Sequence, residues 1–132
     1  MQYLLDTNAC IALLNGTSPT LAKRVRRHAP AEIGLPAPVA YELYYGAYKS
    51  DRTKRNVALL DQMEFELVPF DGGDARMAGE IRARLETLGQ PIGPYDHLIA
   101  GQACSRGLVL VTANNREFQR VEDLRCEDWS VE

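Results

Sequence analysis

Short apolar runs of strand type alternate along the chain with longer segments whose apolar residues recur every three or four positions. These runs predict five strands, at Gln2–Leu5, Glu32–Leu35, Phe65–Phe70, Leu108–Val111 and, at an edge of the sheet, Cys126–Val131. Strands separated by helices form right-handed β-α-β units, in which neighbouring strands run parallel and helices cover both faces. The pattern predicts an open α/β fold with a five-stranded parallel sheet, and it leaves the strand order open.

The segments between the strands have apolar residues at helical spacing. Thr7 and Asn8 are suitable N-caps for the first helix, and Gly89 and Gly107 are expected to end two later helices. The predicted helices are Ala9–Leu14, a basic helix through Leu21, Val25 and His28, Pro38 to about Lys49, Thr53–Met63, Gly73–Leu88, Pro94–Ser105 and a short turn at Asn115–Arg120.

Length and composition indicate an ordinary globular chain. With 132 residues, 45% hydrophobic and 25% charged, one domain over residues 1–132 is expected. The longest apolar run, Ala9–Leu14, is far shorter than the roughly twenty residues of a membrane span, so no membrane segment is expected. The N-terminus has no basic n-region and Asp6 interrupts a possible h-region, so no secretory signal is expected either. Cys10, Cys104 and Cys126 lack CxxC spacing, which predicts free thiols in a reducing cytoplasm.

Charge is unevenly distributed, although the net charge is only −3. Residues 1–55 carry a net charge of +4, and residues 56–132 carry −7. Clustered basic side chains suit a polyanion such as RNA, and a solvated helix face is the alternative interpretation. The candidate RNA-binding residues are Lys23, Arg24, Arg27, Lys49, Arg52 and Lys54.

Three acids occupy positions where ligands bind in open α/β folds, at the carboxyl ends of the strands. Asp6 follows the first strand, Glu42 lies early in the helix after the second, and Asp96 lies in the first turn of a later helix. Two carboxylates about 4 Å apart repel by roughly 4 kcal/mol at an effective dielectric near 20, so a cluster needs protons or a cation. Each acid taken singly is also explained as a helix cap or a boundary residue.

Hard carboxylate ligands suit Mg²⁺ or Mn²⁺, and such ions are the usual apparatus of phosphodiester cleavage. Thr112, Asn114 and Glu117 follow the fourth strand and join the candidates at the same edge. A tyrosine stripe over residues 41–48 is interpreted as core or a protein–protein surface rather than a base-stacking platform, and His97 as a packing or surface residue. Phosphate-binding loops, dinucleotide-binding glycine motifs, zincin motifs and nucleophile elbows are all absent.

Five segments resemble motifs of the PIN-domain ribonucleases, specifically the VapC-type toxins of bacterial toxin–antitoxin pairs. They are L-L-D-T-N (Leu4–Asn8), Y-E-L-Y-Y-G (Tyr41–Gly46), G-Q-P-I-G-P-Y-D-H-L-I-A (Gly89–Ala100), V-T-A-N-N-R-E-F (Val111–Phe118) and a closing E-D-W (Glu127–Trp129). They occur in family order over nearly the whole chain, and the block around Asp96 is the most specific of them.

The resemblance implies an endoribonuclease dependent on Mg²⁺ or Mn²⁺, with Asp6, Glu42 and Asp96 as catalytic metal ligands. It further implies that Thr7, Asn8 and Thr112 orient those ligands. Many family members have T-x-D after the fourth strand, whereas this chain has Thr112-Ala113-Asn114. Asn114 or Glu117 is the possible fourth ligand, and we expect one firmly held ion with a second bound weakly or with substrate.

The same resemblance implies partners and a substrate. A VapB-type antitoxin would push an arginine into the acidic pocket, and the toxin would form a homodimer and a higher toxin–antitoxin assembly. The closing motifs are most similar to the enteric subgroup, which implies tRNA as substrate, the initiator tRNA anticodon loop in particular. Three alternatives stay open: a housekeeping RNA-processing nuclease, a non-catalytic nucleic-acid-binding module and, least supported by the motifs, a phosphotransfer domain.

Overall fold

The computed structural model describes all 132 residues and contains one five-stranded sheet. Its strands are short and follow one another through helical connections. They are β1 (Tyr3–Leu5), β2 (Ile33–Pro36), β3 (Glu66–Val68), β4 (Val109–Val111) and β5 (Cys126–Glu127).

Seven α-helices and one 3₁₀ turn connect the strands. The helices are α1 (Thr7–Asn15), α2 (Pro19–Arg26), α3 (Ala37–Lys49), α4 (Thr53–Asp61), α5 (Gly72–Thr87), α6 (Asp96–Arg106) and α7 (Asn115–Phe118), and the 3₁₀ turn is Pro30–Glu32. None of these helices combines the length and the apolar character that crossing a membrane would require.

All neighbouring strands run parallel, in the order β3-β2-β1-β4-β5. The chain builds the sheet outward from β1 through β2 to β3, and then returns to the other side of β1 for β4 and β5. Right-handed crossovers therefore place α1–α4 on one face and α5–α7 on the other. The direction of building reverses between β1 and β4, and such a reversal opens a crevice at the carboxyl ends of the strands.

The core lies on both sides of the central strands. Leu4, Leu5, Leu110 and Val111 are almost completely withdrawn from solvent, as their uninterrupted apolar runs predict. The largest buried side chain is Trp129, which packs against the core from beyond the end of β5. The α/β class, the parallel pairing and the five strands predicted from the sequence are confirmed.

Some predicted boundaries are wrong. The edge strand predicted over Cys126–Val131 ends at Glu127, because the chain then turns to bury Trp129 while Asp128 accepts a hydrogen bond from the backbone N–H of Ser130. The first helix begins at Thr7 rather than Ala9, since Asp6 takes the N-cap position that was predicted for Thr7 or Asn8.

Other elements are shorter than their apolar patterns suggest. The basic helix α2 ends at Arg26, two residues before His28, and α4 ends at Asp61 rather than Met63. The third strand and the last helix each lose residues at their ends as well. Apolar side chains beyond an element still pack on the core, so periodicity overstates element length.

Candidate active site

Asp6 lies between the end of β1 and the start of α1, at the crevice beside β4. Its backbone N–H donates to the carbonyl oxygen of Val111 over 3.2 Å. Its carboxylate accepts a hydrogen bond from the Ala9 N–H at 2.8 Å and so caps α1. The side chain is buried, with 5% of its surface exposed. Asp6 is therefore both a helix cap and a fixed acid at the sheet edge.

Glu42 reaches the same edge from the second turn of α3. The Thr7 hydroxyl donates a hydrogen bond of 2.7 Å to Glu42 Oε1, across 35 residues of sequence. This bond links the first residue of α1 to α3 and fixes the orientation of the carboxylate. The family resemblance implied that Thr7 orients a metal ligand, and this contact is compatible with that role.

Asp96 is the first residue of α6 and is half-buried. Burial, and after it the negative charges of Glu117, Glu42 and Asp6 in that order, raise the pKa of its carboxyl to about 6. The three acids that raise this pKa come from three separate segments, and Asp96 itself comes from a fourth. The structure therefore brings the three predicted acids, and Glu117 with them, into one electrostatic cluster.

Burial also raises the pKa of Asp6, and the charges of Glu42 and Asp128 act in the same direction. Hydrogen bonds from Thr112 and from the Ala9 N–H oppose this rise without cancelling it. Sequence reasoning did not single out Asp128 as a neighbour of Asp6, although the E-D-W motif contains it. A cluster of carboxylates whose pKa values are raised in this way is stabilised by a cation.

The donor set fits a hard divalent cation, since every candidate ligand at this edge offers oxygen. No three or more Asp, Glu, His or Cys side chains are close enough in this structure to hold one ion directly. Mg²⁺ commonly takes one or two protein carboxylates and keeps several of its waters. The arrangement is therefore compatible with an ion held by a pair of acids and by water.

The remaining residues considered in the sequence analysis lie outside the cluster of acids. His97 is buried, and neither of its ring nitrogens has a hydrogen-bond partner, which confirms it as a packing residue. Asn8 is exposed on the first turn of α1. All three cysteines are free thiols, as predicted. Burial, with a smaller effect of Asp6, raises the pKa of the Cys10 thiol far above its ordinary value, so Cys10 is an unreactive core residue.

Three of the four tyrosines of α3 are on the surface, and the fourth, Tyr44, packs against the core. Tyr41, Tyr45 and Tyr48 are each more than half exposed. The Tyr41 ring packs against Tyr95, with 5.5 Å between the ring centroids. Tyr95 immediately precedes Asp96, so this aromatic pair lies beside the acids. Sequence reasoning missed Tyr95, although its place in the G-P-Y-D segment was a signal.

The candidate basic residues separate into two groups. Lys23 and Arg27 are exposed on or just after α2, whereas Arg24 lies over the ring of Trp129, 5.3 Å from its centroid, and is 3.7 Å from Glu127. Lys49, Arg52 and Lys54 are exposed around the turn between α3 and α4. Lys49 is seven residues beyond Glu42, or about 10 Å along the helix axis.

A comparison with protein-family models matches residues 3–124 to the PIN domain. The chain belongs to the PIN-domain family. The match contains all four acids of the cluster, and nucleases of this family generally depend on divalent metal ions. The fold expectations drawn from the motifs are therefore confirmed by both topology and family.

The relatives of this PIN domain are ribonucleases. It is 39% identical to a tRNA(fMet)-specific endonuclease VapC from Shigella flexneri, over 98% of this chain and 99% of the relative. It is also 39% identical to the protein of that name from Salmonella typhimurium, over 98% of each chain. Ribonuclease VapC2 from Haemophilus influenzae is 37% identical over the same share of both. The PIN domain is thus a nuclease of the VapC type.

Solved structures agree with this family placement. The fold superposes on a chain of DNA-bound VapBC from Salmonella typhimurium with a TM-score of 0.93 and 39% identity, covering 98% of each chain. A chain of VapBC2 from Rickettsia felis, bound to a fragment of its promoter DNA, gives a TM-score of 0.90 and 33% identity over 98% of this chain and 99% of that one. Both neighbours are toxin–antitoxin complexes.

Proposed function

We propose that this single PIN domain, residues 1–132, is a divalent-metal-dependent endoribonuclease and the toxin of a toxin–antitoxin pair. The observation that carries the proposal is the meeting of Asp6, Glu42, Asp96 and Glu117 at one sheet edge in a chain similar throughout to VapC ribonucleases. Its substrate is tRNA, the initiator tRNA cut in the anticodon loop in particular. The similarity to tRNA(fMet)-specific endonucleases over nearly the whole chain supports this choice.

Asp6, Glu42 and Asp96 would hold the metal, Mg²⁺ or Mn²⁺, with one pair of them bound directly and the third acid bound through a water of the ion. Such an ion, when bound, polarises the scissile phosphate and lowers the pKa of water. The protein keeps Asp6 fixed through the cap of α1 and Glu42 fixed through the Thr7 hydroxyl. Thr112 restrains Asp6 from the β4 side, and Asn8 lies on the exposed rim.

RNA approaches through the exposed basic side chains. Lys23 and Arg27 of the first group, and Lys49, Arg52 and Lys54 of the second, are free to meet phosphates, whereas Arg24 is already engaged with the C-terminal segment. A tRNA is large enough to contact both groups while one phosphodiester lies at the acids. Because tRNA is a cytoplasmic molecule, we place the protein in the cytoplasm.

A VapB-type antitoxin is the proposed protein partner, in a toxin homodimer and a higher assembly. An apolar groove of about 290 Å³ lies between α1, α3 and α4, with Ile11 and Leu59 exposed in it and Glu42 on its wall. An apolar antitoxin segment in this groove would bring an adjacent arginine to the acids. The exposed tyrosines of α3 are the candidate dimer surface.

The groove assignment predicts that Leu59→Glu separates antitoxin binding from catalysis. A carboxylate among apolar contacts is costly to bury, so affinity for the antitoxin is expected to fall at least tenfold. Cleavage by the free toxin is expected to stay within twofold of wild type. Both quantities are measurable by titration calorimetry and by RNA cleavage. Unchanged antitoxin affinity would place that partner elsewhere on the surface.

The function is tested by incubating antitoxin-free protein with total bacterial RNA and with purified initiator tRNA. One discrete cut is expected with Mg²⁺ and none with EDTA, and 5′-end sequencing would map it. Asp6→Asn, Glu42→Gln and Asp96→Asn are each expected to lower the cleavage rate at least a hundredfold, because each removes a charge from the cluster. Asp51→Asn, a change at an exposed acid in the α3–α4 turn, is the matched control.

Other outcomes would assign other functions. RNA binding without a cut at millimolar Mg²⁺ would indicate a non-catalytic binding module. Cleavage of ribosomal precursors, with harmless overexpression in the absence of any antitoxin, would indicate a housekeeping nuclease. Retention of the wild-type rate by any one acid variant would remove that residue from the catalytic set.

A further inference from the structure

Asn114 lies in the segment between β4 and α7, and its side chain faces a carboxylate rather than an open position. We infer that Asn114 is a positioning residue, which holds the carboxylate of Glu117 toward Asp96 within the acidic cluster and does not itself bind the ion. This inference rests on the proposed function, because it assigns roles within the same site.

The hydrogen bond from Asn114 fixes which end of its amide faces the cluster. Asn114 Nδ2 donates to Glu117 Oε2 over 2.9 Å. A carboxylate only accepts hydrogen bonds, so the nitrogen must be the atom on that side. The amide oxygen lies at the opposite corner of the planar group and is turned away from Glu117.

Glu117 in turn is the charged residue that acts most strongly on Asp96. Its negative charge raises the pKa of the Asp96 carboxyl more than the charge of Glu42 or of Asp6 does. Asn114 thus reaches the metal-binding acids through Glu117. A hydrogen bond from a neutral donor orients Glu117 without altering the negative charge of the cluster.

Asn114 also departs from the ordinary behaviour of its position. It occupies the N-cap of α7, where asparagine usually accepts a hydrogen bond from a backbone N–H of the first turn. Here the side chain makes no cap hydrogen bond and contacts the side chain of Glu117 instead. The short helix α7 therefore has no side-chain cap, and the Asn114 side chain restrains Glu117 instead.

The backbone of Asn114 ties the same residue to the other half of the site. Its N–H donates to Thr112 Oγ1 over 2.9 Å, and Thr112 hydrogen-bonds to Asp6. Asn114 is therefore linked to Asp6 through its main chain and Thr112, and to Asp96 through its side chain and Glu117. Because it is linked to both acids, Asn114 is suited to set the spacing between Asp6 and Asp96.

The test measures Mn²⁺ affinity by electron paramagnetic resonance on antitoxin-free protein, with no RNA present. Asn114→Ala is expected to weaken binding about ten- to a hundredfold, the usual cost of losing a residue that orients a metal ligand. In a Glu117→Gln background the same change is expected to have less than a twofold effect, because Asn114 acts only through Glu117. Asn114→Asp, similar in size, is expected to bind as weakly as Asn114→Ala since it offers no donor at neutral pH.

Asn115 provides the matched control. It is the next residue, it has the same side chain, and it too is partly buried at the start of α7. Asn115→Asp adds the same charge one position away. Dividing the Mn²⁺ affinity of Asn114→Asp by that of Asn115→Asp therefore removes the general effect of an added negative charge. Thermal unfolding followed through the single tryptophan verifies that each variant is folded.

Kinetics provide a second readout. Asn114→Ala is expected to lower kcat for tRNA cleavage with KM within twofold of wild type, because Asn114 orients an acid and does not hold RNA. Raising the Mg²⁺ concentration is expected to restore part of the rate. A purely structural defect would not be rescued by the ion.

Two results would overturn the inference. Tighter Mn²⁺ binding by Asn114→Asp than by wild type, after correction with Asn115→Asp, would make residue 114 a ligand position. Equal losses from Asn114→Ala in the wild-type and Glu117→Gln backgrounds would show that Asn114 does not act through Glu117. If either result is obtained while the wild-type protein still cleaves RNA, the inference is wrong and the proposed function is unaffected. If instead the variants show the expected Mn²⁺ affinities but the wild-type protein does not cleave RNA, the proposed function is wrong and the positioning role of Asn114 is unaffected.

Discussion

Asp74 and Asp96 are both withdrawn from solvent, yet the pKa values of their carboxyls are shifted in opposite directions. Burial raises the pKa of both. For Asp74 the hydrogen bonds from Arg106 and Ser105 outweigh burial and bring the pKa down to about 2, with Arg106 Nη2 lying 2.9 Å from Asp74 Oδ2. Asp96 has acids for neighbours, and its pKa is about 6. The acid that lacks a protein cation is the one suited to hold a metal ion.

This difference predicts how the stability of the metal-free protein depends on pH. The pKa of Asp96 is raised above its ordinary value near 4, so between pH 4 and 6 the native state binds more protons than the unfolded state. In EDTA, the contribution of Asp96 to stability therefore falls as pH rises through this window. A shift of two pKa units corresponds to about 3 kcal/mol, which solvent screening of a half-exposed group reduces to about 1 to 2 kcal/mol.

Asp96→Asn is expected to remove this penalty while abolishing cleavage. At pH 8 in EDTA its Tm should exceed that of wild type by several degrees, and at pH 4 the two should nearly coincide. Differential scanning calorimetry across this range provides the measurement, with Asp51→Asn as the exposed control. A lower Tm for Asp96→Asn at pH 8 would mean that the ionised carboxylate is already compensated within the protein.

Among the elements, α5 and α6 form the most extensive helix pair. Asp74 of α5 joins the capping box at the start of its own helix to Ser105 and Arg106 at the end of α6. Near the middle of α6, Gly101 lies so close to α5 that an added Cβ would be 2.7 Å from Ala78 Cβ and 2.8 Å from its backbone nitrogen. This close approach fixes α6, and with it Asp96 at its first residue.

Gly101→Ala is therefore expected to destabilise the protein by about 1 to 3 kcal/mol, the cost of overpacking a rigid contact. Gly79→Ala is the matched control, because Gly79 is also within a helix and a Cβ there would meet nothing within 4 Å. The control is expected to gain about 0.5 to 1 kcal/mol from helix propensity. Urea unfolding measures both changes, and equal effects of the two substitutions would contradict the close approach.

Considered as a whole, the molecule packs its C-terminal segment against the central strand β1 and against α2 with the residues that follow it. The Trp129 ring stacks on His28 at 4.9 Å between centroids, meets the Tyr3 ring edge-on at 4.8 Å, and has the Arg24 guanidinium over it. The Glu127 carboxylate accepts a hydrogen bond from the indole N–H at 2.9 Å. Arg24 is therefore part of the fold, although sequence reasoning grouped it with the RNA-binding residues.

Substitutions in α2 should separate these two roles. Arg24→Ala is expected to lower the Tm, because it exposes one face of Trp129 and removes the partner of Glu127. Lys23→Ala and Arg27→Ala are expected to leave the Tm unchanged and to weaken RNA binding, lowering the slope of log affinity against log salt by about 1 for each phosphate that is no longer neutralised. Filter binding at several salt concentrations and thermal unfolding distinguish the two. A lower Tm without weaker binding for Lys23→Ala would remove Lys23 from the RNA path.

The sequence by itself determined the features that depend on local periodicity and on residue chemistry. Apolar runs marked the strands, and helical spacing marked the helices, since burial of one face imposes the same pattern in any fold. Asp6 and Glu42 were identifiable because residues that follow the strands of a parallel sheet meet at one edge, whereas Asp96, which follows α5 rather than a strand, was identifiable from the motif around it. Exact boundaries were less well determined, because residues such as Trp129 pack on the core without belonging to a strand.

Tertiary structure alone decided what depends on neighbours distant in sequence. The order of strands, with its reversal between β1 and β4, follows from how the crossovers pack and has no local signal. Arg24 and Lys23 are adjacent and alike in charge, yet only the fold places Trp129 beneath one of them. The orientation of the Asn114 amide is also set by the fold. Its Nδ2 faces the carboxylate of Glu117, one helical turn away, and Glu117 in turn lies near Asp96.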